Sequence, residues 1–259
     1  MNAAGMHKIV VYTCITGGYD ELSPPANVDP LISYFCFTDQ QEIVVSPWTF
    51  IDISNIDLDQ KDKNRYIKMH PHLVLPDHDI SIYLDGSIKI VGNIRELALT
   101  ITNRTESILL YDHPERDCTY DEAAACAHFA HDWIWRISLQ MNRYRRRGFP
   151  PNSGLFEAGV MIRRNTAAVG QLMDDWWREY CVGAKRDQLS LPYVSWITGV
   201  ALGSLGISDP RTNNRYLRFV NHRRKLRLKP IVIKYINRAI ARLLPSRLLF
   251  GKDISTGSR

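Results

Sequence analysis

Short runs of apolar and β-branched residues, each closed by polar residues, constrain the fold of this chain more than any other feature. The clearest runs are Lys8–Ile15 (KIVVYTCI), Ser33–Thr38 (SYFCFT), Ile80–Leu84 (ISIYL) and Ser107–Tyr111 (SILLY). They are shorter than typical helices, and their composition is typical of strands covered on both faces. Helix-like segments separate them along the chain. The sequence therefore predicts an α/β fold with a mostly parallel sheet and helices on both faces.

Polar residues follow these strands at the point where each one ends. Thr16-Gly17-Gly18 follows the first strand, Asp39 the second, Asp85-Gly86-Ser87 the run at 80–84, and Asp112-His113 the run at 107–111. In open α/β sheets, ligands bind beyond the carboxyl ends of the strands. We therefore expect these four strand ends to converge on a binding site at one edge of the sheet.

The residues near Asp85 leave several kinds of chemistry open. Asp85 could chelate a divalent metal, bind a ribose hydroxyl, or cap the amides of a turn. His70, His72 and His78 could join Asp85 in a mixed metal set, as in a metal-dependent hydrolase. The alternative for the histidines is a polar surface loop.

Positive charge is concentrated at the end of the chain. The net charge is +6, but twelve Lys and Arg residues and no acidic residue lie between Arg215 and Lys252. The rest of the chain is mildly acidic, which argues against nucleic acid as a partner. Within the basic segment, Lys234, Arg238 and Arg242 recur every four residues, and Val232, Ile236, Ala239, Ile240 and Leu243 share another face. Ile231–Leu244 is thus predicted to be an amphipathic basic helix that lies on an anionic membrane surface or packs on the rest of the chain.

The start of the chain and its cysteines indicate a cellular location. Met1–His7 is short and polar, unlike a signal peptide. The five cysteines show no C-x-x-C pair and are expected to be reduced thiols. We therefore expect a cytoplasmic protein, with peripheral attachment to the inner face of the membrane as an option if the basic helix binds lipid.

An ordered set of motifs extends over about Lys8 to Ile207. In chain order they are Tyr12-Thr13-x-Ile15-Thr16-Gly17-Gly18-Tyr19-Asp20, Phe37-Thr38-Asp39, Lys68-x-His70-Pro71-His72, Tyr83-Leu84-Asp85-Gly86-Ser87, His113-Pro114-x-Arg116-x-Cys118-x-Tyr120-x-Glu122, Gly154-Leu155-x-Glu157-x-Gly159-Val160-Met161-Ile162-Arg163, Trp176-Trp177 and Arg186-Asp187-Gln188-Leu189-Ser190. On these motifs the chain resembles the glycosyltransferase-like domain family of plant mucilage-polysaccharide proteins and its bacterial relatives. More distantly it resembles nucleotide-sugar transferases of the GT-A fold.

The resemblance implies a role for each matching position. The residues implied to bind the nucleotide-sugar donor are Thr13, Thr16, Gly17, Tyr19, Asp39, Lys68, Asp85, Ser87 and Arg116. Glu157 and the Asp187-Gln188 pair match segments that line the sugar and acceptor side, and Asp187 or Glu157 could be the base that takes the acceptor proton. The alternatives are a solvated helix face for Lys68, a salt bridge from Arg116 to Glu122 or Asp117, a helix cap for Asp187 and a buried ion pair for Glu157.

Metal use is less clear from the sequence. The D-x-D motif of GT-A enzymes falls at Asp85-Gly86-Ser87, where Ser87 replaces the second carboxylate. Mn²⁺ or Mg²⁺ would therefore need a further ligand beside Asp85, for which His222 is the candidate. Otherwise His222 belongs to a solvated basic run, and basic residues neutralise the diphosphate.

Together these features predict a GT-A-like catalytic domain over 1–214 and a basic C-terminal helical extension over 215–259. The expected function is transfer of a sugar from a nucleotide-sugar donor to a glycan or lipid-linked glycan acceptor. The alternatives are a metal-dependent hydrolase built on His70, His72, His78 and Asp85, and a catalytically inactive module that binds sugar nucleotides.

Overall fold

A seven-stranded sheet lies at the centre of the computed structural model, which describes residues 7–40, 44–207, 214–220 and 229–250. The strands are β1 Ile9–Ile15, β2 Ile32–Thr38, β3 Thr49–Asp52, β4 Ile80–Leu84, β5 Ile88–Ile90, β6 Ile108–Asp112, β7 Phe156–Arg164, β8 Leu202–Ser204 and β9 Leu217–Phe219. The helices are α1 Gln60–Met69, α2 Pro71–Val74, α3 Ile94–Leu99, α4 Thr119–His128, α5 Ile134–Arg146, α6 Ala167–Val182, α7 Asp187–Thr198, α8 Lys229–Leu243 and α9 Ser246–Phe250.

The sheet is mostly parallel, as predicted. Its strand order is β3-β2-β1-β4-β7-β6-β8. Strand β1 is parallel to β2 and β4, β2 is parallel to β3, and β6 is parallel to β8, whereas β7 is antiparallel to β4. The expected fold class, an α/β protein with a mostly parallel sheet flanked by helices, is confirmed.

The chain divides into two units. The first contains Met1–Tyr111, Glu157–Asp174 and Val200–Arg224, and the second contains Asp112–Phe156, Asp175–Gly199 and Lys225–Arg259. The predicted domain boundary at residue 214 stays a prediction, although this division assigns segments on each side of it to both units.

Strands β1 and β4 form the interior of the first unit because every one of their residues is buried. Alternate residues of β1, such as Ile9 and Val11, join a cluster that includes Ile94 and Leu97 of α3. Tyr12 lies on the other face and meets the ring of Tyr83 edge-on at 5.3 Å. This alternation explains the unbroken apolar runs, since both faces of each strand need covering.

A two-stranded antiparallel sheet extends the first unit beyond Ser87. It pairs Ile88 of β5 with Phe219 of β9, and Ile90 with Leu217. The Val220 amide also donates to the Ser87 carbonyl at 2.7 Å. The polar loop after β4 therefore continues directly into β5, which pairs with strand β9 from a later part of the chain.

The second unit is helical. Helices α4 and α5 follow each other closely along the chain, with Ala130 in the left-handed region at φ 59° between them. A residue of this conformation commonly follows a helix C-terminus because it directs the chain away from the helix axis. Tyr144 of α5 stacks on Tyr193 of α7, with ring centroids 3.8 Å apart.

Helix α8 forms where the amphipathic basic pattern predicts it, and it packs within the second unit. Its Ile233 and Asn237 are buried. Asn237 Oδ1 accepts a hydrogen bond from the Ile134 amide, and its Nδ2 donates to the carbonyls of Ala127 and Asp132, all at 2.9 Å. Among the described residues, no helix has the length and apolar character needed to cross a bilayer.

Candidate functional site

The loop after β1 is held against the end of β2. The Gly17 amide donates to Asp39 Oδ1 at 2.8 Å, and the Thr16 hydroxyl donates to the Gln60 carbonyl at 2.7 Å. Gly17 has φ +61°, and a Cβ there would overlap the Gln60 side chain. The positive φ favours glycine at this position. Tyr19, two residues further on, is largely exposed beside this loop.

The loop after β4 lies against the loop after β1. A Cβ on Gly86 would come within 2.8 Å of Asp20 Oδ2 and 2.9 Å of Ile15 Cγ1. The ends of β1, β2 and β4 therefore meet at one edge of the first unit. The fourth predicted strand end, Asp112-His113, is not grouped with these three, because it belongs to the second unit.

Asp85 does more than close a turn. The turn is closed by main-chain groups, since the Ile88 amide donates to the Asp85 carbonyl at 2.9 Å. The carboxylate instead accepts from the Tyr83 hydroxyl at 2.9 Å, and Lys68 Nζ is 4.0 Å from Asp85 Oδ1. The side chain of Lys68 is 1% exposed and that of Asp85 is 36% exposed. Asp85 thus presents a carboxylate to solvent with a buried ammonium behind it.

Lys68 is fixed from two directions. Its ammonium lies over the Tyr83 ring, 5.2 Å from the centroid. Its carbonyl accepts from the Tyr12 hydroxyl at 3.0 Å and from Arg163 Nη1 at 2.8 Å. The alternative of a solvated helix face is therefore wrong for Lys68, because α1 turns this residue inward.

Buried groups around Asp85 keep their protons. Burial, followed by the negative charge of Asp85, raises the pKa of Tyr83 well above its usual value, against the opposing effect of the Arg65 charge. Burial also raises the pKa of Tyr12 to about 12. The Tyr83 phenol is consequently a hydrogen-bond donor to Asp85 throughout the physiological pH range.

Two further predicted residues lie on strands of the first unit. Thr13 is buried in β1, opposite Cys36 of β2. Glu157 is half-buried near the start of β7. Two residues later, Gly159 approaches Asp85 so closely that a Cβ would lie 3.1 Å from Asp85 Oδ2. Ser87 is buried just beyond Asp85.

In the second unit, the buried carboxylate of Glu122 contacts several polar side chains. Arg116 Nε donates to Glu122 Oε2 at 2.8 Å, so the salt-bridge alternative for Arg116 is present in the structure. Arg186 Nη2 is 3.8 Å from Glu122 Oε1, and the Cys126 thiol donates to the same oxygen at 3.2 Å. The His113 ring lies 3.7 Å from the carboxylate.

Asp187 and Gln188 begin α7 and are both buried. Asp187 is the first helical residue, and Arg186 occupies the cap position, so the alternative role of Asp187 as the helix cap is wrong. The Gln188 amide is held at both ends, since Nε2 donates to the Phe156 carbonyl and Oε1 accepts from Arg186, each at 3.0 Å.

The histidines of the hydrolase alternative do not assemble with Asp85. His72 Nε2 lies 3.0 Å from Asp174 Oδ1, His70 Nε2 is 3.8 Å from the same oxygen, and His78 Nδ1 lies 2.8 Å from the Pro76 carbonyl. Burial lowers the pKa of His70 and of His78, which favours their neutral forms. In the described part of the chain, no group of three His, Cys, Asp or Glu side chains is placed to hold a metal ion. His222 lies outside the described residues.

Sequence reasoning gave no role to several residues that shape this site. The sequence motifs include Tyr83, Gly159 and Arg163 but do not indicate what these residues contact. No motif includes Gln60. A signal exists for Arg163, because it is an arginine that directly follows the apolar run Val160-Met161-Ile162 of β7. No local signal pointed to Gln60, whose importance arises only from its contact with Gly17 and Thr16.

Comparison with known proteins gives the following findings. The family described as TOD1/MUCI70, glycosyltransferase-like domain, matches residues 1–201. Among solved structures, mouse xyloside xylosyltransferase 1 in its apo form is similar at 14% sequence identity and a TM-score of 0.46, over 77% of this chain and 84% of that chain. No curated protein matches the sequence.

Proposed function

The chain belongs to the TOD1/MUCI70 glycosyltransferase-like domain family, and we propose that it transfers a sugar from a nucleotide-sugar donor to a glycan or lipid-linked glycan acceptor. One observation carries the proposal. The ends of β1, β2 and β4 meet at one edge of the first unit, where they present main-chain groups and two carboxylates, Asp39 and Asp85. Such an edge is the usual ligand position in open α/β sheets.

The nucleoside is proposed to bind at the loop after β1. Asp39 is fixed by the Gly17 amide through one oxygen. Its carboxylate is thereby oriented to accept from a ribose hydroxyl or a base, and exposed Tyr19 offers a ring for stacking. These contacts would position the donor without using the groups that act on the transferred sugar.

Asp85 is proposed to accept hydrogen bonds from donor hydroxyls. Lys68 is proposed to position Asp85 rather than to touch the phosphates, because its ammonium is buried against that carboxylate. The leaving diphosphate also requires positive charge. Arg65 of α1 is a candidate, since its charge acts on both Tyr83 and Cys14 at these strand ends.

A divalent cation fits the described residues poorly. Mn²⁺ and Mg²⁺ prefer several oxygen ligands. Here Asp85 already faces the Lys68 ammonium, Ser87 is buried, and Asp20 Oδ2 lies against Gly86. No group of three His, Cys, Asp or Glu side chains among the described residues is placed to hold a metal ion. No step of the proposed reaction is therefore assigned to a metal.

The acceptor hydroxyl needs a base. Glu157 on β7 and Asp187 on α7 are the proposed candidates, and Gln188 and Arg116 are proposed to orient sugar groups. The isosteric changes Glu157→Gln and Asp187→Asn separate the two candidates. Replacing the true base should lower the rate of transfer about 100-fold or more while nucleotide affinity is kept.

The proposed compartment is the cytoplasm. Its support is that no disulfide joins the five cysteines, all of which lie in the described part of the chain, with Cys181 exposed and the other four buried. Free thiols are typical of reducing compartments.

Calorimetric titration with nucleoside diphosphates and nucleotide sugars, with and without Mn²⁺, tests the donor proposal. We expect binding that falls at least tenfold in Asp39→Ala. The matched control is Asp52→Ala, which removes an exposed aspartate at the end of the neighbouring strand β3. If no nucleotide binds at millimolar concentration, the proposal fails. If nucleotide sugars bind but are never cleaved or transferred, the chain is the inactive binding module instead.

A further inference from the structure

Helix α8 leaves a broad apolar face uncovered. Val232, Ile236, Ala239 and Leu243 are exposed and recur at helical spacing, so they lie on one face. The helix is held to the second unit by a different face, which contains Ile233 and Asn237. Because a packed helix normally buries its apolar face, this stripe is left available for a partner.

Cations border the exposed stripe. Lys234, Arg238 and Arg242 are exposed on an adjoining face. In helical order, exposed Ile231 lies among these cations and exposed Tyr235 lies between them and the stripe. Neither α8 nor α9 contains an acidic residue. The exposed surface of α8 therefore combines an apolar face with a cationic face.

Two further leucines of the second unit, on α9 and α5, are exposed. Leu248 of α9 is exposed, and its carbonyl accepts from Asn142 Nδ2 at 2.9 Å. Leu139, one helical turn before Asn142 on α5, is 71% exposed. The hydrogen bonds of Asn237 fix α8 in place, so the orientation of this surface is built into the unit.

The charges select among the partners that could cover this surface. A second copy meeting it face to face would bring like charges together, which is unfavourable. An anionic bilayer complements the cations, while the apolar side chains enter the boundary between headgroups and acyl chains. We propose that the exposed face of α8 is a peripheral docking surface for anionic lipid membranes. This proposal does not depend on the reaction that the chain catalyses.

Co-sedimentation of the full-length protein with phosphatidylcholine vesicles, with and without phosphatidylglycerol, tests the proposal over a series of salt concentrations. We expect binding only to the anionic vesicles, weakening as salt rises. Each basic residue near such a surface contributes roughly a fivefold gain in partitioning. Arg238→Gln/Arg242→Gln should therefore bind about 25-fold more weakly. Val232→Gln/Leu243→Gln should lose the binding that persists at high salt.

The matched control is Arg145→Gln/Arg146→Gln, which removes the same charge from exposed positions of α5. It should retain most of the binding, and all variants should keep the melting temperature of the parent because the changed side chains are exposed. The proposal is overturned if the parent protein ignores anionic vesicles at low salt, or if the control loses as much binding as the α8 variants. It is also overturned if sedimentation velocity shows a dimer that Val232→Gln/Leu243→Gln abolishes.

Discussion

The Asp85 carboxylate lies close to the buried Lys68 ammonium, so a single substitution of Asp85 is expected to change stability as well as ligand binding. Asp85→Ala removes the carboxylate that lies 4.0 Å from a buried ammonium. Breaking a fully buried pair costs about 3–5 kcal/mol, and the partial exposure of Asp85 reduces this to roughly 1–2 kcal/mol. A loss of activity in Asp85→Ala alone would therefore mix chemistry with stability.

We predict that Lys68→Met/Asp85→Asn regains most of the stability lost in Asp85→Ala, because it also removes the buried charge. It should not regain sugar transfer or donor affinity. Urea unfolding and donor titration of the two variants measure the two effects separately. Recovery of transfer in the double variant would show that Asp85 has no direct contact with the donor.

A second prediction concerns Gly17. Gly17→Ala combines the cost of a left-handed alanine, about 1–2 kcal/mol, with an overlap against Gln60. Gly148→Ala is the matched control, since Gly148 also has positive φ but nothing within 4 Å of an added Cβ. Melting curves should show a larger loss for Gly17→Ala, and Gln60→Ala should reduce the difference. Equal losses at both glycines would mean that the overlap is relieved without cost.

At the scale of helices and strands, Asn237 links three segments of the second unit. It accepts from the first turn of α5 and donates to the carbonyl of Ala127 in the last turn of α4 and to that of Asp132 after this helix. Asn237→Ala should cost about 2–4 kcal/mol because it leaves buried donors and acceptors unsatisfied. Asn142→Ala removes an exposed bond to the Leu248 carbonyl and a longer one, 3.3 Å, to the Ser138 hydroxyl, and should cost less than about 1 kcal/mol. Chemical denaturation and amide exchange of Ile134 measure both, and similar values for the two variants would contradict this role.

The elements that were predictable from the sequence are those with strong local patterns. The runs that became β1, β2, β4 and β6 are continuous apolar segments, and the spacing of α8 is regularly helical. Strands β5, β8 and β9 span three residues each, too few to display a period. Their existence depends on pairing between distant segments, as when Ile88 meets Phe219.

The candidate site was predictable to the same extent. Asp39 and Asp85 were identified because strand ends have a known meaning in α/β folds. The inward turn of Lys68 and the contact of Gln60 with Gly17 depend on which side chains meet after folding. No local pattern encodes those distances.

At the scale of the whole molecule, each unit consists of three separate segments of the chain, and both units contain residues on each side of the predicted boundary at residue 214. A fragment of residues 1–214 lacks Leu217, which is buried in the first unit, and Ile233, Asn237 and Phe250, which are buried in the second. We predict that the fragment melts well below the full chain or aggregates. Circular dichroism and limited proteolysis check this, and a fragment as stable as the full chain would support a separate domain over 1–214.

The interleaving of the two units also has a consequence for biosynthesis. Domains usually fold in order as the ribosome releases them. In this protein the first unit is completed by Leu217–Phe219 and the second by Ser246–Phe250. The first unit therefore cannot finish folding before residue 219 has been translated, nor the second before residue 250. The nascent apolar strands β1 and β4 must wait for more than a hundred further residues before their last packing partners arrive.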